Sequence, residues 1–359
     1  LSRQAARTLA GTEIVHGGLE PHEIIKRLTA HRLMGMTVPE RYGGAGADEV
    51  SHVLTLMEIS KSSASAGGLL VWNNSLYCSF VLRYGKEEQK SKYLSRSLSG
   101  EKPGCFVLMG DAMSPDVRTS MVPDGPGWRI RGEGNFFPCG IPSGIAVAVS
   151  REGGTSLTFM LMDLENQTGL LRGKPLERGG IFISGIAEMI FENARVTADA
   201  ILCRGDEGAH AVQGIMRESW MGLGALAAGI GRGTMEEVLD FARNEQGSGK
   251  VSQVTEWKVA DMGVELEASE LLVLKAAWMK DHGKSYEKES AAAKAFSVAA
   301  ALKASLEGLQ ILGTKNPKRR ISVEQRMRDA EMCQAYYGTR EKLGYVVAEH
   351  LGRGKITES

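Results

Sequence analysis

Apolar residues recur at helical spacing in two stretches of the chain and at strand spacing in the stretch between them. From Glu20 to about Leu98 the helical pattern runs through Ile24, Leu28 and the turn His31 to Leu33, then Val53, Leu54, Met57 and Ile59, then Leu76, Phe80 and Leu82. Between Pro103 and roughly Gly205 the runs shorten: Cys105 to Leu108, Ile145 to Val149, Leu157 to Leu161 and Glu188 to Phe191. The tetrapeptide Asp124-Gly125-Pro126-Gly127 supplies a turn ahead of Trp128-Arg129-Ile130. After Gly208 long helical periods return, through Trp220, Leu223, Ala227 and Ile230, then Val259, Met262, Leu266 and Val273, then Ala295, Val298, Leu302, Leu306 and Leu309. The pattern predicts an α+β protein with a helical layer over 1–102, a small β domain over 103–207 and a helical bundle over 208–359.

The first bundle helix carries Gly222, Gly224, Gly229, Gly231 and Gly233. Its G-x-G-x-G follows no strand, so it predicts close helix packing and not a dinucleotide-binding turn.

Composition narrows the partners. Lys+Arg and Asp+Glu balance at 43 each in 359 residues, so no long-range field draws the chain to nucleic acid or an anionic membrane. The most basic run, Lys315 to Arg320, reads as a solvated loop. The five cysteines are widely spaced with no C-x-x-C pair, which predicts a reducing compartment, cytoplasmic or, in a eukaryote, the mitochondrial matrix. Met221 to Gly231 is too short to cross a bilayer, and the first residues lack the basic-then-apolar order of a signal peptide.

Several segments follow one another in a telling order. They are Gly35-Met36-Thr37-Val38-Pro39-Glu40-Arg41-Tyr42-Gly43-Gly44, then Tyr84-Gly85-Lys86-Glu87-Glu88-Gln89-Lys90 leading to Gly100-Glu101, then Phe191-Glu192-Asn193-Ala194-Arg195-Val196. Farther on come Arg243 … Gly247 … Gln253 … Ala260-Asp261-Met262, Ala293-Lys294, Gln310-Ile311-Leu312-Gly313, and Arg328-Asp329-Ala330 … Tyr336-Tyr337-Gly338-Thr339. In order and near-spacing this set resembles the acyl-CoA dehydrogenase family over essentially the whole chain. The resemblance implies a helical N-terminal domain, a central β barrel and a C-terminal four-helix bundle, assembled as a homo- or hetero-tetramer. It also implies FAD, an acyl-CoA thioester substrate and, in an active member, electron exchange with an electron-transfer flavoprotein.

Residue by residue the resemblance is uneven. Tyr337 stands where the family has its catalytic glutamate. A glutamate near ~4.3 is ionised at neutral pH, whereas a tyrosine near ~10 keeps its proton. The alternative glutamate placement of some members, just before the arginine matched by Arg217, is Met216 here. Arg217 remains as the substrate-binding candidate. On the flavin side, Met109 and Pro115 replace a threonine and a serine, and Phe136-Phe137-Pro138-Cys139-Gly140 replaces a segment whose threonine bonds the flavin ring. Proline offers neither hydroxyl nor N–H. On the side that, by resemblance, meets the ADP half of a neighbour's FAD, Arg243, Gln310, Gly313, Gly338 and Thr339 match, while Gln246 and Thr314 depart. Read without the family, Arg243 is a surface ion-pair residue, Gln310 a helix-face residue and Gly313 a helix C-cap.

Three functional readings follow. The first is an FAD enzyme on an acyl-CoA whose Tyr337 donates a proton, with Asp111 and Asp116 the replacement carboxylates that otherwise read as loop or cap residues. The second is a silent subunit that completes a paralogue's FAD site through Arg243 and Gln310, and the third a flavin-free scaffold. Asn73, Asn74 and Ser75, near the acyl pocket by resemblance, otherwise read as helix or loop hydrogen-bonding residues.

Overall fold

The computed structural model describes residues 21–107, 117–135, 144–154, 156–176, 180–181, 186–244, 252–313 and 316–356. The N-terminal layer contains α1 (Pro21–Ala30), α2 (Glu49–Ser62), α3 (Ala64–Leu70), α4 (Ser79–Tyr84) and α5 (Glu87–Leu98). A π-helical stretch, Val71–Cys78, joins α3 to α4. Helix α2 starts where Asp48 accepts the Ser51 N–H and ends at Ser63, whose hydroxyl in turn caps α3 through the Ala66 N–H.

Eight strands follow: β1 (Gly104–Val107), β2 (Thr119–Asp124), β3 (Gly127–Asn135), β4 (Ile145–Glu152), β5 (Ser156–Asp163), β6 (Leu170–Leu176), β7 (Ile186–Thr197) and β8 (Ile201–Arg204). They form one mixed sheet in the order β6-β7-β3-β2-β4-β5-β8, with β1 added in parallel beside β4. This sheet is the central β domain that the resemblance implies. The continuous apolar runs of β4 and β5 have a simple cause, burial on both faces. Val147, Val149, Phe159 and Leu161 face the helices, and Ala146, Ala148, Met160 and Met162 fill the opposite face with Met121, Ile130 and Phe191. Phe80 of α4 stacks at 5.2 Å on Phe106 and 4.9 Å on Phe159 and so welds the helical layer to the sheet.

The C-terminal part holds α6 (Asp206–Asn244), α7 (Gln253–Asp281), α8 (Glu287–Leu312), α9 (Pro317–Ala335) and the shorter α10 (Arg340–Ile356). At 39 residues α6 is roughly 58 Å long at 1.5 Å per residue. Its glycines let neighbours approach, as the pattern predicts: a Cβ at Gly229 would stand 2.4 Å from the Met57 carbonyl oxygen of α2. The basic run 315–320 is corrected by the structure. From Pro317 it is the first turn of α9, capped by Asn316 at the Arg319 N–H. Pro at the first turn loses no helical hydrogen bond, and Arg319 turns to Glu237 (3.6 Å) while Arg320 meets Glu324 (2.9 Å). Helix α8 is long and apolar enough to cross a bilayer, yet it packs among α6, α7, α9 and α10.

Asn73 and Asn74 are fasteners between layers. The Asn74 Oδ1 accepts the Gly35 N–H (2.6 Å), and its amide donates to the Leu33 carbonyl (2.8 Å). The Asn73 Oδ1 accepts both the Ser97 hydroxyl (2.5 Å) and the Gly104 N–H (2.8 Å), tying α5 to β1. Their hydrogen-bonding use is thereby accounted for. Replacing Asn73→Leu strands two buried donors, each worth ~1–3 kcal/mol, and should lower unfolding free energy by about 2–4 kcal/mol in urea titrations.

Candidate active site

The turn between α9 and α10 carries Tyr336, Tyr337, Gly338 and Thr339. Helix α9 ends as the Tyr336 N–H closes on the Met332 carbonyl (3.2 Å), after which Tyr337 takes φ +53° and Gly338 φ +108°. A non-glycine residue in the left-handed region costs on the order of 1–3 kcal/mol, so other contacts must hold it there. They do. The Trp220 indole of α6 donates to the Tyr337 carbonyl (2.7 Å), and Lys294 Nζ of α8 donates to the Tyr336 carbonyl and to that of Gly338 (2.7 Å). Tyr337 is fully buried, and Trp72 of the π-helical stretch meets Tyr336 edge to face at 6.1 Å.

Lys294 is 1% exposed. Among the described residues it has no carboxylate within ion-pair distance, and burial brings its amine down to about 7, with Cys333 of α9 the opposing influence. Its neutral form retains two N–H groups, enough for two carbonyls. In sequence the pair Ala293-Lys294 assigns the lysine no role. The available signal was a single cation inside the run Ala291-Ala292-Ala293-Lys294-Ala295. The spacing of Trp220 likewise marks it only as a core position.

The remaining candidates separate into two places. Gly338 and Gln310 line one cavity of about 420 Å³ along α8, together with Lys294, Val298, Leu302 and Arg340. Lys294, Val298, Leu302, Leu306 and Gln310 recur every four residues, so one helix face of roughly 24 Å connects the Tyr337 turn to Gln310. Gln310 accepts from Lys258 of α7. Gly313 caps α8 at φ +53° with open space where a Cβ would stand, in agreement with its reading as a C-cap. Arg243 lies exposed in the last turn of α6, at the same bundle end, since Phe241 and Leu312 share a buried cluster with Val323. Thr339 is exposed, its carbonyl accepting the Leu343 N–H (3.1 Å) and its hydroxyl holding the exposed Glu341 carboxyl below its ordinary range.

Arg217 lies one turn before Trp220 on α6, its guanidinium 5.6 Å from the Tyr286 ring centre. Its buried Nε has no hydrogen-bond partner among the described residues. Met216 is buried. Met109, Asp111, Pro115, Asp116, Phe136 to Gly140, Gln246 and Thr314 lie outside the described residues.

Among the described residues, each buried carboxylate has a hydrogen-bond or ion-pair partner. The buried acids among the described residues are Glu49, Glu218, Glu289 and Asp329. Asp329 accepts the Ile181 N–H (2.6 Å) and the Gln325 amide (2.9 Å). Glu49 and Glu218 share Lys280 at 2.6 and 2.7 Å, and Glu218 also accepts the Tyr286 hydroxyl (2.7 Å). Glu289 pairs with Lys275 and Lys288. The Lys280 ammonium, although desolvated, is raised by its two carboxylates, the opposite of Lys294.

Comparison with known proteins places this geometry. The sequence model described as "Acyl-CoA dehydrogenase, N-terminal domain" matches residues 3–101, and "Acyl-CoA dehydrogenase, C-terminal domain" matches residues 206–352. An acyl-CoA dehydrogenase of Bacillus subtilis is 32% identical over 341 residues, covering 92% of this chain and 90% of its own length. The chain belongs to the acyl-CoA dehydrogenase family. It is thus a member of a family of flavoprotein oxidoreductases with a helical N-terminal domain, a central sheet and a helical C-terminal domain. The chain is also similar to a 3-(aryl)acrylate reductase of Clostridium sporogenes, 30% identical over 92% of this chain and 90% of the relative. The structure of butyryl-CoA dehydrogenase from Megasphaera elsdenii superposes with a TM-score of 0.89 at 26% identity, covering 98% of this chain and 96% of the other.

The depressed amine of Lys294 makes stability depend on pH with a definite sign. Between about 7 and its ordinary 10.5 the unfolded chain holds a proton that the folded chain has released, so stability rises with pH across that window. The slope is at most ~1.4 kcal/mol per pH unit. In urea titrations from pH 7 to 9.5, the unfolding free energy of wild type should therefore climb relative to Lys294→Met. A difference independent of pH would mean that Lys294 stays charged when folded.

Proposed function

We propose that this chain is an FAD-dependent oxidoreductase of acyl-CoA thioesters that works in the reducing direction, with the Tyr337 phenol giving a proton to the thioester α-carbon. The observation that carries this reading is the buried phenol at the family's base position, on a turn pinned by Lys294 and Trp220, while every buried carboxylate among the described residues is already paired. A group protonated at neutral pH suits donation and not abstraction. The similarity to a relative named as an acrylate reductase supports the same direction.

Reduced flavin, if bound, would supply hydride at the substrate β-carbon, its two electrons being replenished by an external electron donor such as an electron-transfer flavoprotein. This chain's own residues do the rest. The phenol O–H bond breaks as the α-carbon takes its proton, and the phenolate regains one from solvent. Arg217, with an uncommitted Nε, is the candidate for holding the substrate. Gln310, Gly313 and Arg243 would hold the ADP half of a neighbouring copy's FAD. The cavity that Gln310 shares with Gly338 and Arg340, and the open space over Gly313, fit a polar, anionic group beside an apolar wall. The residues expected around the flavin ring lie outside the described part of the chain.

Such sharing requires an assembly, and α7 offers a seam for it. Trp257, Val264, Leu271 and Trp278 stand seven residues apart and are 77%, 70%, 61% and 45% exposed. A seven-residue apolar repeat keeps one face toward a partner helix along its length. We read this as the contact between copies of the chain in a tetramer.

The chain expressed alone should purify with flavin and lose it on Arg243→Ala; colourless wild type that gains flavin only beside a paralogue would favour the silent-subunit reading. Tyr337→Phe should keep its flavin and lose ~10²–10⁴-fold in reduction of enoyl-CoA substrates, and undiminished turnover would remove the donor role. Val264→Glu combined with Leu271→Glu should reduce the particle to a smaller species in light scattering and lower its flavin content together.

A further inference from the structure

We propose that Lys294 is the positioning residue of the Tyr337 site, spanning the carbonyls on either side of residue 337 and so deciding where the phenol stands. The inference rests on the reading of Tyr337 as proton donor and extends it to a residue on another helix. Three successive carbonyls, of Tyr336, Tyr337 and Gly338, are held by two side chains from two helices, Lys294 of α8 on the outer pair and Trp220 of α6 on the middle one. Two positive φ angles in succession, at Tyr337 and Gly338, turn the outer carbonyls toward a single nitrogen. Without that nitrogen the Tyr336 and Gly338 carbonyls would lose the donor they share, and the turn would be freer to relax out of the left-handed region.

The placement is specific to this turn. Lys294 ion-pairs with no carboxylate among the described residues, so its burial is compensated at the 336–338 backbone and not by an acid. Its own backbone is sealed by α6, where a Cβ at Gly224 would lie 3.2 Å from the Lys294 nitrogen. A methionine there would fill the alanine-rich surroundings without the lysine's desolvation cost but would leave both carbonyls without their shared donor, so packing along α8 alone has no need of the lysine. Proton transfer does have a need, because donor and acceptor must approach to ~2.6–3.2 Å, and a misplacement near 1 Å costs ~10²-fold.

The test uses the Trp220 indole as reporter of the turn. The chain has five tryptophans, so 15N-indole labelling gives five resonances, with Trp220 assigned by Trp220→Phe. In wild type the Trp220 indole proton should exchange slowly. In Lys294→Met it should exchange at least tenfold faster with the other four resonances unmoved, and kcat for enoyl-CoA reduction should fall at least tenfold with KM within twofold. Lys294→Gln, which keeps a donor, should lie between and serves if the methionine variant does not fold. Unchanged Trp220 exchange and kcat in Lys294→Met would overturn the proposal. So would equal loosening of all five indoles, which marks a general core role, or rapid Trp220 exchange in wild type. If wild type reduces no acyl-CoA, the functional reading fails by itself, and the indole measurement still decides what Lys294 holds.

Discussion

The close approach of α6 and α8 at Gly224 is the constraint on which the rest of the site depends. With no side chain at that position, the backbone of Ala293 and Lys294 comes into contact with α6, and the lysine is carried below the surface of the bundle. The same two helices then present Lys294 and Trp220 to the turn after α9. Any wider separation would admit water to the lysine, shorten its reach and release the carbonyls of residues 336–338. The helix spacing set by small residues thus passes directly into the backbone conformation at Tyr337.

Two lysines, Lys280 half-buried and Lys294 buried, show how differently the fold handles a cation. Lys280 sits between Glu49 and Glu218 and joins α2, α6 and α7 through a charge network in which Asp281 also caps the start of α2. Its carboxylates favour the charged form. Lys294 has only carbonyl dipoles, and burial moves it to where both protonation states are populated near neutral pH. Lys280 is a device of assembly between layers. Lys294 is a device directed at a single strained turn.

Much of the fold was legible because periodicity is local. The two helical regions, the intervening strands and the packing role of the glycine-rich helix all follow from spacing that each segment carries within itself, as the contacts of Gly229 show. The basic run at 315–320 reads as a loop in sequence because its charge masks the Pro317 start and the Asn316 cap of α9. Asn73 and Asn74 were ambiguous in sequence because their partners, Leu33, Gly35, Ser97 and Gly104, are as many as 41 residues away. The tyrosine at position 337, within Tyr336-Tyr337-Gly338-Thr339, was plain in the sequence. That Lys294 reaches this residue was not, since the contact spans 42 to 44 positions and the pair Ala293-Lys294 says nothing of direction.

The sequence by itself determined the family and the order of helical layer, sheet and bundle, because each is written in short-range pattern or in the order of motifs. The tertiary structure decided which buried carboxylates are already committed, which cavity joins Gln310 to Gly338, and which side chains hold the Tyr337 turn. Those properties depend on distances between segments far apart in the chain, and such distances exist only once the helices have packed.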